Sequence, residues 1–192
     1  MARAAAPLSR VRGSNKRNLH DPAPVDESDC SAFAPRQKLL DRPAMAKPIY
    51  VLNGPNLNML GAREPAVYGH DTLDDVRRRT QTRATELGLT IDFRQSNHEG
   101  ELITWIQQAR TEACGIIINA GGYTHTSIAM LDALQAAELP AIEVHLSNIF
   151  RREPYRHHSY MSLGVKGVIC GLGARGYELA VEGMADLIQS KT

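Results

Sequence analysis

The chain has 192 residues, 43% of them apolar and 22% charged, with a net charge of +1. That length suits one domain with a sizeable core, and no run of eighteen apolar residues exists that would cross a membrane. The near-zero balance hides a split: residues 1–46 carry eight basic and five acidic groups, whereas 47–192 carry 14 and 16, and a mildly acidic body argues against a nucleic-acid partner.

Residues 1–46 also hold five of the ten prolines and show no sustained apolar period. Such sequence buries too little surface to offset its ordering entropy, so a disordered extension is expected there and a single folded domain over 47–192. The first twenty residues, with Arg, Lys, Ala and Ser and no acid, resemble a transit peptide. Met45, followed by Ala46, Lys47, Pro48 and then a strand, reads as a native start and favours a dispensable leader. Cys30, Cys114 and Cys170 are too scattered for a disulfide framework or a zinc site. Cys114 and Cys170 adjoin apolar runs and read as buried small hydrophobes, which fits a reducing, cytoplasmic compartment.

From residue 49 strand and helix signals alternate. Residues 49–52 (IYVL) form a buried strand stopped by Asn53, Gly54 and Pro55. Residues 72–87 read as a helix capped by Thr72, with Asp74 and Asp75 in its first turn, Gly88 at its end, and Leu73, Val76, Thr80, Ala84 and Leu87 on one face. Residues 90–95 alternate, as a more exposed strand does. A second helix, 99–113, buries Leu102, Trp105, Ile106 and Ala109. A buried strand at 116–118 ends in Asn119, Ala120 and two glycines, and a helix follows over 126–137 with Thr126 or Ser127 as its cap. Strands at 140–146 and 165–170 and a closing helix over 176–189 complete the series. Five strands alternate with helices, and three of them are apolar runs without polar alternation, which implies a parallel sheet covered on both faces. The expected fold class is α/β, a five-stranded doubly wound sheet of flavodoxin type in three layers. Such sheets bind ligands beyond the carboxyl ends of their strands. This singles out Asn53 and Asn56, Asn119, and His145 with Ser147.

Four segments carry chemistry. NGPNLNMLG (53–61) lacks the glycine spacing of a dinucleotide site and the Lys-Ser/Thr of a phosphate loop, so it is either an Asn-rich turn or a neutral polar ligand loop. REPAVYG (63–69) sits where a lid could cover the sheet edge. It pairs Arg63 with Tyr68, and a nearby guanidinium favours the phenolate that a tyrosine base requires, although a surface loop with an incidental pair fits too. NAGGYTHTS (119–127) puts His125 near a helix N-terminus, a good place for hydroxyls or an anion. Asp132 lies one to two turns into that helix, as a solvated acid or one that reaches a neighbouring site. EVHLSN (143–148) places Glu143 and His145 on one face of a strand, so the carboxylate can orient the imidazole for acid–base work. Arg151, Arg152 and Arg156 follow, and in an acidic body they suit a carboxylated substrate or a salt-bridged loop that includes His157 and His158. A metal site from His125, His145 and His157 lacks the supporting carboxylate or thiolate spacing, so no metal is expected.

Taken in order and register, NGPNLNMLG, REPAVYG, NAGGYTHTS, EVHLSN, REPYR (152–156) and GLGARGYELA (171–180) resemble type II 3-dehydroquinate dehydratase, over about residues 47–189. The resemblance implies a flavodoxin-like fold and a lyase that dehydrates 3-dehydroquinate to 3-dehydroshikimate by anti elimination through an enolate, with neither metal nor cofactor. It implies Tyr68 as the phenolate base, Arg63 holding it ionised, and Asn56 fixing a water on the enolate oxygen. His145 would be the general acid, with Glu143 behind it. Leu146 and Ser147 would bind the substrate carboxylate through backbone N–H groups, helped by Asn119. His125, Arg156 and an Asp132 from a neighbouring subunit would bind ring hydroxyls, and Arg152 would contact the region of the lid tyrosine. A homododecamer of four trimers is implied, serving aromatic biosynthesis or, alternatively, quinate breakdown. Pro154 departs from the family pattern, which often has an acidic residue there, and is expected to alter the local turn. A non-catalytic flavodoxin-like module is the competing class. A receiver domain would want acids at the strand ends, and a flavin binder a Ser/Thr-rich loop after the first strand. A serine hydrolase through Ser127 or Ser147 lacks a nucleophile elbow.

Overall fold

The structure, a computed structural model, describes residues 47–61 and 71–190. The extension 1–46 and the segment bearing Arg63 and Tyr68 lie outside the described residues. Five strands form one parallel sheet: β1 (Ile49–Asn53), β2 (Ile91–Gln95), β3 (Gly115–Asn119), β4 (Ala141–His145) and β5 (Gly167–Cys170), in the order β2-β1-β3-β4-β5. Four helices cover it: α1 (Leu73–Glu86), α2 (Glu99–Glu112), α3 (Ile128–Ala137) and α4 (Arg175–Gln189). This is the flavodoxin-type doubly wound order, as expected from the alternation of strand and helix. Among the described residues no helix is long and apolar enough to cross a membrane.

The pleat sorts the core into two layers. On β1, Ile49 and Val51 face α1 and α4, where they join Val76, Ala84, Tyr177, Val181 and Met184. Tyr50 and Leu52 face α2 and α3 and join Leu102, Ile106, Met130 and Leu134. Each fully buried aliphatic side chain of this kind contributes roughly 2 kcal/mol relative to exposure. β1, β3 and β4 are buried throughout, whereas β2 is half-buried, which explains its polar alternation.

Local chemistry sets the helix starts. Thr72 accepts from the Asp75 N–H and Asp75 accepts from the Thr72 N–H, a capping box on α1. α3 begins later than its sequence period suggests, because Ser127 caps it by accepting from the Met130 N–H at 2.9 Å, and residues Gly121–His125 form a separate 3-10 turn. β4 and β5 are shorter than the runs at 140–146 and 165–170: β4 begins at Ala141 opposite Ile116 of β3, and β5 only at Gly167 opposite Ile142. Trp105 is half-buried rather than core, and the Arg94 guanidinium lies 5.6 Å from its ring. Cys114 and Cys170 are likewise half-buried, not fully buried as their apolar neighbours suggest. Pro154 opens the 3-10 turn Pro154–Arg156, where its fixed φ is pre-set for the first position.

The loops after β1 and β3 touch at Gly54. Its N–H donates to the Asn119 carbonyl at 2.8 Å, and a Cβ placed there would lie 2.4 Å from the Ala120 carbonyl oxygen. Backbone cannot yield as a flexible side chain can. Gly54→Ala is therefore expected to lower unfolding free energy by about 3 kcal/mol. Gly100→Ala, where nothing lies within 4 Å of the new methyl, serves as the control. Urea midpoints check this, and equal midpoints for the two variants would contradict it.

Candidate active site

A cavity of about 170 Å³ lies at the carboxyl ends of β1, β3 and β4. Asn56, Asn119, His125, His145, Leu146, Ser147 and Arg156 all line it, and so does Arg152. The fold thus brings together residues from four stretches of the sequence. Glu143 stands behind His145 rather than in the wall. Asp132 is exposed on α3 and does not line the cavity of its own chain. Arg63 and Tyr68 fall outside the described residues.

Glu143 and His145 are two residues apart on β4, so their side chains leave the same face. Glu143 Oε1 accepts from His145 Nε2 at 2.7 Å. Glu143 is fully buried, and His145 is 6% exposed. A buried carboxylate is tolerated only when its lone pairs are used. Ser159 completes that requirement, donating its hydroxyl between both Glu143 oxygens at 2.8 and 2.9 Å, while its oxygen accepts from the Ser162 N–H at 3.0 Å. The ring is thereby held with Nε2 on Glu143, and Nδ1 is left as the nitrogen that can exchange a proton.

Asn56 sits where β1 leaves the sheet, in the left-handed region at φ 66°. Asparagine tolerates this better than most residues, but the conformation still needs support. Asn97 supplies it: its Oδ1 accepts from the Asn56 N–H at 3.0 Å and from Gln95 Nε2 at 3.1 Å. Its carbonyl accepts from the Tyr123 hydroxyl at 2.9 Å, which ties the loop after β2 to the loop after β3.

His125 donates from Nδ1 to the His158 carbonyl at 2.7 Å, which leaves Nε2 as an acceptor in the neutral ring. Burial holds this imidazole below its ordinary pKa, the charges of His145 and Arg156 push the same way, and the His158 carbonyl opposes them. A neutral His125 therefore accepts from hydroxyls near neutral pH. On the rim, Glu153 accepts from Arg156 Nε at 2.9 Å and lies 3.5 Å from Arg152 Nε. Its own backbone N–H and then the two guanidinium groups hold the Glu153 carboxyl below the usual range.

At the floor, Asn119 donates to the Tyr177 hydroxyl at 2.9 Å, and Tyr177 donates to Asn53 Oδ1 at 2.7 Å. Sequence reasoning did not single out Ser159, Asn97 or Tyr177. Ser159 lies 16 residues beyond Glu143 in a polar loop, and nothing in its neighbours signals the contact. Tyr177 falls on the apolar face of α4, where its hydroxyl was the one available hint.

The arrangement offers a positioned imidazole, neutral amide donors and two guanidinium groups around a small cavity. This is equipment for acid–base chemistry on a hydroxylated acid. A sequence profile of the family described as dehydroquinase class II matches residues 47–185. A 3-dehydroquinate dehydratase of Caulobacter sp. is 60% identical over 144 residues, covering 75% of this chain and 98% of the relative. One from Phenylobacterium zucineum is 62% identical over 143 residues, covering 74% and 99%. The crystal structure of a type II dehydroquinase from Propionibacterium acnes superposes with a TM-score of 0.71 at 47% identity, covering 74% of this chain and 98% of that one. The motifs at the strand ends, the sheet order and these matches along nearly the whole length of the relatives lead to one assignment: the chain belongs to the dehydroquinase class II family.

Proposed function

We propose that the chain is a hydro-lyase that dehydrates 3-dehydroquinate to 3-dehydroshikimate in the shikimate pathway. Family membership supports the reaction, and the buried Glu143–His145 pair at the cavity wall is the observation that carries its chemistry. The cavity, about 170 Å³, is smaller than the roughly 300 Å³ from which pockets for drug-sized ligands begin, and so suits a single small ring acid. Biosynthesis accounts for the family match without invoking quinate breakdown.

Abstracting a proton next to a ketone needs a base, a stabiliser for the enolate and an acid for the leaving group. Tyr68, as a phenolate held ionised by Arg63, removes the proton from carbon 2, and the C–H electron pair becomes the enolate. Asn56 holds a water on the enolate oxygen. When the enolate collapses, the new carbon–carbon double bond forms and the β-hydroxyl departs. His145 gives that hydroxyl a proton, so it leaves as water. The Tyr68 phenol and the deprotonated His145 then return to their starting states by exchanging one proton with solvent. Glu143 keeps the His145 ring in place through the Nε2 bond at 2.7 Å. Leu146 and Ser147, with Asn119, bind the carboxylate, and His125 and Arg156 bind ring hydroxyls. None of these steps calls on a metal or an organic cofactor.

The active assembly in this reading is a homododecamer of four trimers in the cytoplasm, and Asp132 serves a neighbouring site. Two features support the loan. Asp132 is exposed and outside its own cavity, and Ile128, one helical turn earlier on the same face, is 56% exposed despite being apolar.

The ultraviolet absorbance of the conjugated enone product gives a direct assay. Tyr68→Phe is expected to reduce kcat by at least about a thousandfold while substrate still binds; near-normal turnover would remove Tyr68 as the base. Deleting residues 1–44 is expected to leave turnover and assembly size unchanged, and loss of either would show that the extension belongs to the enzyme. Mixed oligomers of inactive Tyr68→Phe and Asp132→Ala chains are expected to regain activity, since some sites then combine an intact Tyr68 with an intact neighbouring Asp132. No regain would end the proposed loan.

A further inference from the structure

Hydrogen-bond direction at the cavity floor is dictated from outside the cavity. Asn53 Nδ2 donates to the Arg94 carbonyl at 2.9 Å and to the Val51 carbonyl at 3.3 Å. Both partners are backbone oxygens that can only accept, so the Asn53 amide cannot turn over, and its Oδ1 faces Tyr177. Oδ1 accepts the Tyr177 proton at 2.7 Å. Tyr177 has one proton, and it is spent. Its oxygen therefore meets Asn119 only as an acceptor, and Asn119 Nδ2 donates to it at 2.9 Å. Asn119 Oδ1 then faces the Gly121 N–H at 3.2 Å. The reversed amide would set two acceptors against each other at Tyr177 and two donors against each other at Gly121. Asn53 and Tyr177 are fully buried and Asn119 is 3% exposed, so water cannot readily rescue a wrong arrangement. Burial also pushes the Tyr177 phenol well above its ordinary pKa, so it keeps its proton at any working pH.

We propose that Tyr177 is a positioning residue for substrate affinity: it locks the Asn119 amide so that the second Nδ2 proton serves the cavity, and the floor donates to an anionic carboxylate instead of opposing it. This rests on the reading of Asn119 as part of the carboxylate site. Tyr177 acts through Asn119 and touches no substrate. Its effect belongs to binding of the carboxylate, which is present unchanged in ground state and transition state, and so to KM rather than kcat.

The experiment uses the full chain with Tyr177→Phe, Asn119→Ala and the double variant. The probe is the 3-hydroxy analogue of the substrate, which cannot enolise, as the free carboxylate and as the primary carboxamide. Tyr177→Phe is expected to raise KM and weaken the carboxylate analogue about tenfold, with kcat and carboxamide affinity within about twofold. Adding Tyr177→Phe to Asn119→Ala should then cost nothing further. If Asn119→Ala leaves carboxylate affinity unchanged, the reading of Asn119 fails and takes the proposal with it. If Asn119→Ala weakens binding but Tyr177→Phe does not, or the two effects add, Asn119 stands and the role of Tyr177 is overturned. A fall in kcat at constant KM also overturns it. A neutron structure of the deuterated wild-type enzyme needs no variant: Asn119 Nδ2 towards Tyr177 supports the proposal, and Oδ1 towards Tyr177 refutes it.

Discussion

Asn53 and Asn119 stand side by side in register at the carboxyl ends of β1 and β3, in an interior that excludes water. Two buried amides at one spot must find partners or cost the fold dearly. Tyr177 meets that need from α4, and the Gly121 N–H gives Asn119 Oδ1 its partner; beside them the Gly54 N–H donates to the backbone carbonyl of Asn119 and brings in the loop after β1. The strand ends, the closing helix and the two loops are thus tied at one point, and the cavity floor is that point. A chain that repacked α4 would lose this polar junction as well as the apolar contacts of Tyr177, Val181 and Met184.

The weight of stabilisation lies elsewhere. α1 and α4 are joined at the surface by Arg79 with Glu178 and Arg83 with Glu182, and Arg175 extends the row. A half-buried ion pair that keeps one edge in water is worth about 1 kcal/mol at most, against roughly 2 kcal/mol for one buried aliphatic side chain. The two layers of apolar side chains therefore hold the sheet, and the ion pairs tune the register of α1 against α4. The same comparison explains why the cleft among those arginines is not a second anion site: carboxylates already face the guanidinium groups.

Charge is distributed in the cavity by depth. The floor is neutral amide and backbone, the wall carries the Glu143–His145 pair, and the guanidinium groups of Arg152 and Arg156 sit at the rim with Glu153 between them. The half-buried arginines at the rim are partly neutralised by Glu153 and can attract an anion. A buried Glu143 is expensive and is kept only because Ser159 and His145 occupy its oxygens. Each group stands where its desolvation can be offset, and that physical ordering suits proton transfer on a polar ring acid.

The doubly wound sheet was legible from the sequence, because short strand signals rich in apolar residues alternating with helical periods admit few arrangements. So were Asn56, Asn119, His145 and Ser147, since polar residues that end buried strands of a doubly wound sheet collect at one edge. Glu143 followed from strand period alone. Ser159, Asn97 and Tyr177 were not legible, because hydrogen-bond partners 16 to 124 residues away along the chain leave no local trace. Trp105, expected from helix period to be fully buried, lies at the margin of its core layer, where the Arg94 guanidinium rather than an apolar side chain covers part of its ring. Periodicity is a property of consecutive residues, and the sequence alone determined whatever rests on it, namely element type, layer order and which strand ends carry polar groups. The tertiary structure decided which way each amide points and which hydroxyl holds the buried Glu143 carboxylate, since those depend on side chains that meet only after the sheet has closed.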